Sequence, residues 1–179
     1  MAAPARVLYV DDHDEMLELV PELLERHGTL SVTTATTVDA GLDRLAEGDV
    51  ECVVCDYDLP GSDGLEFLAA VRERCPDLPF VLFTGKGSEE IASEAISAGV
   101  TDYLQKGTGT DQWTVLANRV ANAAARYRAE QSARESRRRF TSLIENATDV
   151  ITVFDPDGTI RYESPSLERV LGYEPAALE

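Results

Sequence analysis

Five residues stand at the ends of short apolar runs, and their types suit one kind of chemistry. Asp11 and Asp12 follow the run Arg6–Val10, and Asp56 follows Cys52–Cys55. Thr84 closes Pro79–Thr84, and Lys106 follows Thr101–Gln105. Three carboxylates brought together repel one another unless a cation joins them. Hard oxygen ligands with room for water suit Mg²⁺. A carboxylate neutralised in this way can attack phosphorus and hold a phosphoryl group as an acyl phosphate. A lysine ammonium and a threonine hydroxyl would supply donors to the new phosphoryl oxygens. Asp56 is the candidate nucleophile, because a strand-forming run ends on it and breaks at once into Leu59-Pro60-Gly61-Ser62-Asp63-Gly64. Each residue alone has a plainer reading. Asp before Pro and Gly starts turns, Asp11-Asp12 could cap a helix, and Thr84 and Lys106 could be ordinary loop residues. Their recurrence at successive strand ends favours a site.

The elements that would position these residues follow from periodicity. The first strand, Arg6–Val10, runs into a helix with Leu17, Val20 and Leu24 on one face, ending near His27 and Gly28. Pro21 lies inside that helix and removes a hydrogen bond, so a kink or a restart is expected there. Leu30–Thr34 is a second strand, and Val38, Leu42 and Leu45 mark a second helix closed by Gly48. Asp63 can cap a third helix carrying Leu65, Leu68 and Ala69, which Pro76 terminates. Ser88 can cap a fourth, with Glu89 and Glu90 in its first turn and Gly99 at its end. Asp111 can cap a fifth, beginning near Gln112. Five βα units with near-continuous apolar strands imply an α/β fold: a doubly wound parallel sheet covered on both faces. Chemistry in such sheets lies outside the carboxyl ends of the strands, at the switch point beside the first strand.

Composition bounds the function. The chain has 179 residues, 44% of them hydrophobic, enough for one ordinary domain and an appendage. Asp and Glu number 33 against 16 Lys and Arg, a formal net charge of -17. No nucleic-acid partner is expected, since that needs a basic footprint. The only lysines are Lys86 and Lys106; acid-rich, lysine-poor surfaces resemble those of proteins adapted to high salt. No apolar run approaches the ~20 residues of a membrane span, and the N-terminus lacks a signal-peptide core. A cytoplasmic protein without a membrane partner is expected. Cys52 and Cys55 are spaced so that a strand would point them to opposite faces, which argues for buried structural cysteines over a metal or redox pair.

The motifs VDDHDE (Val10–Glu15), CDYDLPGSDG (Cys55–Gly64), FTGKG (Phe83–Gly87) and DYLQKG (Asp102–Gly107) together resemble the receiver domain of two-component response regulators. The resemblance covers residues 5 to about 126 and implies a flavodoxin-like sheet of order 2-1-3-4-5. It also implies a phosphorylation-activated switch of a phosphorelay. Asp56 would be the phosphoacceptor, and Asp11 and Asp12 the acid pair holding Mg²⁺ with Asp56 and the backbone carbonyl of Asp58. Thr84 would be the switch hydroxyl, Lys106 the phosphate-pairing lysine and Tyr103 the aromatic switch. The implied partner is a histidine kinase or a histidine phosphotransfer protein. Beyond self-phosphotransfer and autodephosphorylation, no external substrate is expected. His13 departs from the family pattern at a place often held by an acid, as does Gly85 where Ala is usual. Asp58 adds a carboxylate at a position that often tunes dephosphorylation. Lys86 lies in the switch loop, within reach of a phosphate or simply solvated.

Helix five carries Trp113, Leu116, Val120 and Tyr127 on a rough heptad face, suited to a homodimer contact or to packing on the sheet. Residues 128–139 contain no Pro or Gly and read as the same helix running on as a connector, with Arg137-Arg138-Arg139 on its solvated face. From Phe140 the sequence resembles the opening of a PAS sensor domain: a hairpin around Asp155-Pro156-Asp157-Gly158, then a helix with Leu167, Val170 and Leu171. The expected division is a receiver at 1–126, a helical linker at 127–140 and an incomplete PAS domain of α+β type at 141–179. About 40 residues of a module needing ~100 are present, so no cofactor pocket is expected there. In complete form the chain could be the receiver module of a larger PAS-containing hybrid kinase. Two rival readings share parts of this pattern. A haloacid-dehalogenase-type phosphatase also uses a strand-end aspartate, and Asp56-Tyr57-Asp58 mimics its D-x-D, but that family places it on the first strand. A flavin-binding domain of similar architecture would need a phosphate-cradling loop after strand one, where carboxylates stand instead.

Overall fold

The structure, a computed structural model, describes residues 3–85, 89–107, 109–145 and 149–171. The expected cap Ser88 and the loop residue Lys86 lie outside them. Packing divides the chain into two compact units, residues 1–129 and 130–179.

In the first unit, strands β1 (Ala5–Val10), β2 (Leu30–Ala35), β3 (Cys52–Cys55), β6 (Phe80–Thr84) and β7 (Asp102–Gln105) form one parallel sheet of order β2-β1-β3-β6-β7. This is the anticipated 2-1-3-4-5 order. Two further short strands, β4 (Asp58–Leu59) and β5 (Ser62–Asp63), make a small antiparallel hairpin after Asp56. Gly61 turns it with φ 75°, a conformation that glycine adopts without strain.

The strands are apolar throughout because both faces are covered. Val7, Tyr9, Cys52, Val54, Val81 and Phe83 point to helices α1 (Asp14–His27) and α5 (Asp111–Glu145), where Val20, Leu24, Leu116 and Val120 complete one core layer. Leu8, Val10, Val53, Cys55, Phe80 and Leu82 face α2 (Val38–Ala46), α3 (Gly64–Arg74) and α4 (Glu89–Ala98). Cys52 and Cys55 therefore diverge, as their spacing requires, and burial pushes the Cys52 thiol up to about 12.

Helix α1 continues through Pro21 without a restart. The Asp63 carboxylate caps α3, accepting from the amides of Leu65 and Glu66 at 2.9 and 2.8 Å. Helix α5 already includes Asp111, one residue before the expected start. Of the two readings of the α5 face, packing on the sheet is the one seen for its centre. Leu116 and Val120 are fully buried and Trp113 packs edge-on against Phe83, with ring centroids 5.7 Å apart. The sheet covers Leu116 and Val120, while Trp113 and Tyr127 stay half-buried.

Helix α5 is 35 residues long and contributes to both units. In the second unit its residues 132–143 are exposed, including the three consecutive arginines. Strands β8 (Thr152–Phe154) and β9 (Ile160–Glu163) form an antiparallel hairpin, and α6 (Ser166–Leu171) follows. The buried hydroxyls of Ser164 and Ser166 tie the hairpin down: Ser164 accepts from the Ile151 amide at 2.9 Å, and Ser166 donates to the Asp149 carbonyl at 3.0 Å.

Candidate functional site

Strand ends set the site. Val10 pairs with Cys55, so the next residues on adjacent strands, Asp11 and Asp56, come level at the carboxyl rim. The Asp56 amide donates to the Val10 carbonyl at 2.9 Å, extending that register by one residue. Thr84 pairs with Gln105, and the Lys106 amide donates to the Thr84 carbonyl at 2.7 Å. Gly64 allows the chain to close beneath Asp56: a Cβ there would stand 2.6 Å from the Asp56 carbonyl oxygen, nearer than real contacts allow.

The rim combines burial with charge. Asp11 and Thr84 are fully buried, and Asp56 is 5% exposed. Lys106 bridges the two buried carboxylates, with Nζ 2.7 Å from Asp11 Oδ2 and 3.2 Å from Asp56 Oδ2. Ligating atoms of Asp11, Asp12, His13 and Asp56 lie within 4.8 Å of one another. The His13 Nδ1 stands 2.8 Å from Asp12 Oδ1 and 3.1 Å from Asp11 Oδ1. The Asp58 side chain is not in this group; it lies in β4, two residues past Asp56. Tyr103 is half-buried in β7 and packs against the layer beneath α4.

The two buried carboxyls titrate in opposite directions. Burial pushes Asp56 up, the nearby Asp11 charge adds to this, and Lys106 only partly offsets it. Burial pushes Asp11 up as well, but hydrogen bonds from Lys106, Tyr9 and the His13 amide outweigh it and hold the carboxyl below its usual range. Contact with Asp11 and Asp12 raises the His13 imidazole. Tyr9 is the partner that residue patterning missed: its hydroxyl donates to Asp11 Oδ2 at 2.5 Å. Only the i, i+2 spacing on one strand hinted at it. Burial and the Asp11 carboxylate hold that hydroxyl far above the usual tyrosine range.

The donor set fits a hard divalent cation. Three clustered carboxylates face one ammonium, leaving negative charge that oxygen-ligated Mg²⁺ would match.

The family described as "Response regulator receiver domain" matches residues 7–118. This chain belongs to that family: it contains the receiver domain of a two-component response regulator. It is 31% identical over 144 residues to a putative NtrX-like response regulator of Rickettsia bellii, an alignment covering 79% of this chain and 30% of that protein. It is 29% identical over 164 residues to the bacterioopsin transcriptional activator of Halobacterium salinarum, covering 85% of this chain and 24% of that protein. Against the transcriptional regulatory protein FixJ of Bradyrhizobium diazoefficiens, identity is 32% over 132 residues, with 72% of this chain and 64% of FixJ covered. The chain thus spans less than two thirds of the length of these relatives. Among solved structures, a receiver domain protein from Clostridium thermocellum superposes with a TM-score of 0.62 at 27% identity, covering 70% of this chain and 98% of that one. Among the described residues, no helix is long and apolar enough to cross a membrane.

Proposed function

We propose that Asp56 accepts a phosphoryl group from a phosphohistidine on a histidine kinase or a histidine phosphotransfer protein, switching the receiver between two states. The observation that carries this reading is the nearly buried Asp56 carboxylate, 3.2 Å from Lys106 Nζ and level with Asp11 on the neighbouring strand. The Asp56 oxygen forms the new bond to phosphorus as the bond to the donor nitrogen breaks. Lys106 holds an ammonium where phosphoryl oxygens would gather, and Thr84, at the end of the neighbouring strand, would offer a hydroxyl. Asp11, Asp12, Asp56 and the Asp58 carbonyl would hold Mg²⁺, which when bound offsets the charge that develops during transfer. Movement of Thr84 toward the phosphoryl group, with Tyr103 turning inward, would carry the change to α4, β7 and α5.

The receiver is assigned to residues 1–126, the helical connector to 127–140 and a partial PAS module to 141–179. Two observations support the last part: a hairpin followed by a helix, and the alignment to the Halobacterium protein, which covers more of the chain than the receiver match. The reading places the protein in the cytoplasm. A homodimer belongs to the same reading, with a contact that leaves out the buried Leu116 and Val120. A larger PAS-containing hybrid kinase remains the second reading of the whole protein, favoured by the same partial module.

Incubation with Mg²⁺ and acetyl phosphate tests the proposal. Intact mass should rise by one phosphoryl group, stable in acid and lost in base. An unchanged mass under saturating donor would overturn it.

A further inference from the structure

Tyr9 presents a polar atom where the core otherwise needs none. Its side chain is fully buried in the apolar layer between the sheet and α1 and α5. Phenylalanine would fill the same volume without burying a hydroxyl, and burying a hydroxyl costs free energy unless it finds a partner. The partner here is Asp11 Oδ2 at 2.5 Å. The same oxygen takes Lys106 Nζ at 2.7 Å. The other oxygen, Oδ1, lies on the His13 side, 3.0 Å from the His13 amide and 3.1 Å from its Nδ1, which also meets Asp12. The two oxygens of Asp11 are thereby sorted. One is held by the donors Tyr9 and Lys106, and the other lies at His13, beside Asp12.

A carboxylate plane turns easily about its terminal torsion. Lys106 is a point charge on a flexible stem and does not set that plane alone. Tyr9 sits on a strand, with its ring held by core packing and two residues from Asp11 on the same face. We infer that Tyr9 is a positioning residue of the site, fixing the rotation of the Asp11 carboxylate so that Oδ1 is presented to the divalent cation. This rests on the reading of Asp11 as a cation ligand. Outer partners of this kind typically change metal affinity by ~10–100-fold when removed. The plainer alternative is a core tyrosine whose hydroxyl takes the nearest acceptor with no effect on the cation.

Calorimetric titration of Mg²⁺ into the full chain separates the two, using wild type, Tyr9→Phe and Asp12→Ala. Phe keeps the ring and removes only the donor, and thermal unfolding checks that the fold is retained. The expected result is a Kd raised about tenfold in Tyr9→Phe, with a larger loss in Asp12→Ala. Phosphorylation by acetyl phosphate should lag in Tyr9→Phe at low Mg²⁺ and approach the wild-type rate at saturating Mg²⁺. A Tyr9→Phe Kd equal to wild type, while Asp12→Ala loses affinity, overturns the positioning role alone. Failure of wild type to bind Mg²⁺ overturns the cation reading and the positioning role together.

Discussion

The first unit holds buried carboxylates at opposite ends of the sheet, Glu51 at one and the pair Asp11 and Asp56 at the other, and they are balanced differently. At the amino ends of the strands, Glu51 is 7% exposed and well supplied with donors. Arg128 meets it with Nε at 2.7 Å and Nη2 at 2.6 Å, and the Arg6 amide donates to it at 2.9 Å. The same guanidinium reaches the carbonyls of Ala3 and Pro4 at 3.1 and 3.2 Å. The Arg128 hydrogen bonds hold the Glu51 carboxyl below its usual range against the opposing effect of burial. At the carboxyl ends, Asp56 shares one lysine with Asp11 and is pushed up by burial. A carboxylate satisfied by its own chain is a structural tie. One left under-neutralised is what the proposed cation and phosphoryl chemistry needs.

The largest contrast should appear in chemistry. Asp56→Asn should abolish phosphorylation by acetyl phosphate, while Glu51→Gln should leave it near the wild-type extent, since each removes a nearly buried carboxylate but only Asp56 is the proposed phosphoacceptor. Intact-mass measurement checks both variants. Undiminished label in Asp56→Asn would assign the phosphoacceptor elsewhere.

Stability should then change with opposite signs. Glu51→Gln leaves the Arg128 guanidinium without its ion pair, at a cost of about 2 kcal/mol; the figure is modest because Arg128 is 39% exposed and solvent screens it. Asp56→Asn without Mg²⁺ removes repulsion from Asp11, and Lys106 keeps its 2.7 Å contact to Asp11. A gain of about 1 kcal/mol is expected. Urea unfolding in Mg²⁺-free buffer measures both. Equal signs for the two variants would dissolve the distinction between tie and site.

Much of this arrangement was legible from residue order alone. The five βα units repeat with clean apolar periodicity, and each rim residue directly follows or closes a strand, so register alone carries Asp11, Asp56, Thr84 and Lys106 to one edge. The β4–β5 hairpin escaped notice because two-residue strands generate no periodicity. The pairing of Glu51 with Arg128 spans 77 positions and depends on how α5 lies on the sheet. Trp113, Leu116 and Val120 form an apolar stripe whether a sheet or a second copy covers it, so only tertiary structure could decide. Tyr9 read as one more strand aromatic; its hydroxyl mattered only once Asp11 was placed beside it.

The smallest effect is the pH dependence of the two variants. Glu51 has a folded pKa below its unfolded value, so its contribution is fully present above the unfolded carboxylate range and is lost as pH falls through the folded value. Asp56 has a folded pKa above its unfolded value. Its ionised form therefore weakens the fold at neutral pH, and protonation removes that penalty as pH falls through the raised folded value toward the unfolded one. The deficit of Glu51→Gln and the gain of Asp56→Asn should both shrink on acidification. Urea midpoints taken from pH 7 to pH 3 without Mg²⁺ should show the two variant curves converging on wild type from opposite sides, Asp56→Asn from above and Glu51→Gln from below. An Asp56→Asn curve that starts below wild type and rises to meet it would mean that Lys106 neutralises Asp56 as fully as Arg128 neutralises Glu51, and the two ends of the sheet would then be alike in charge balance.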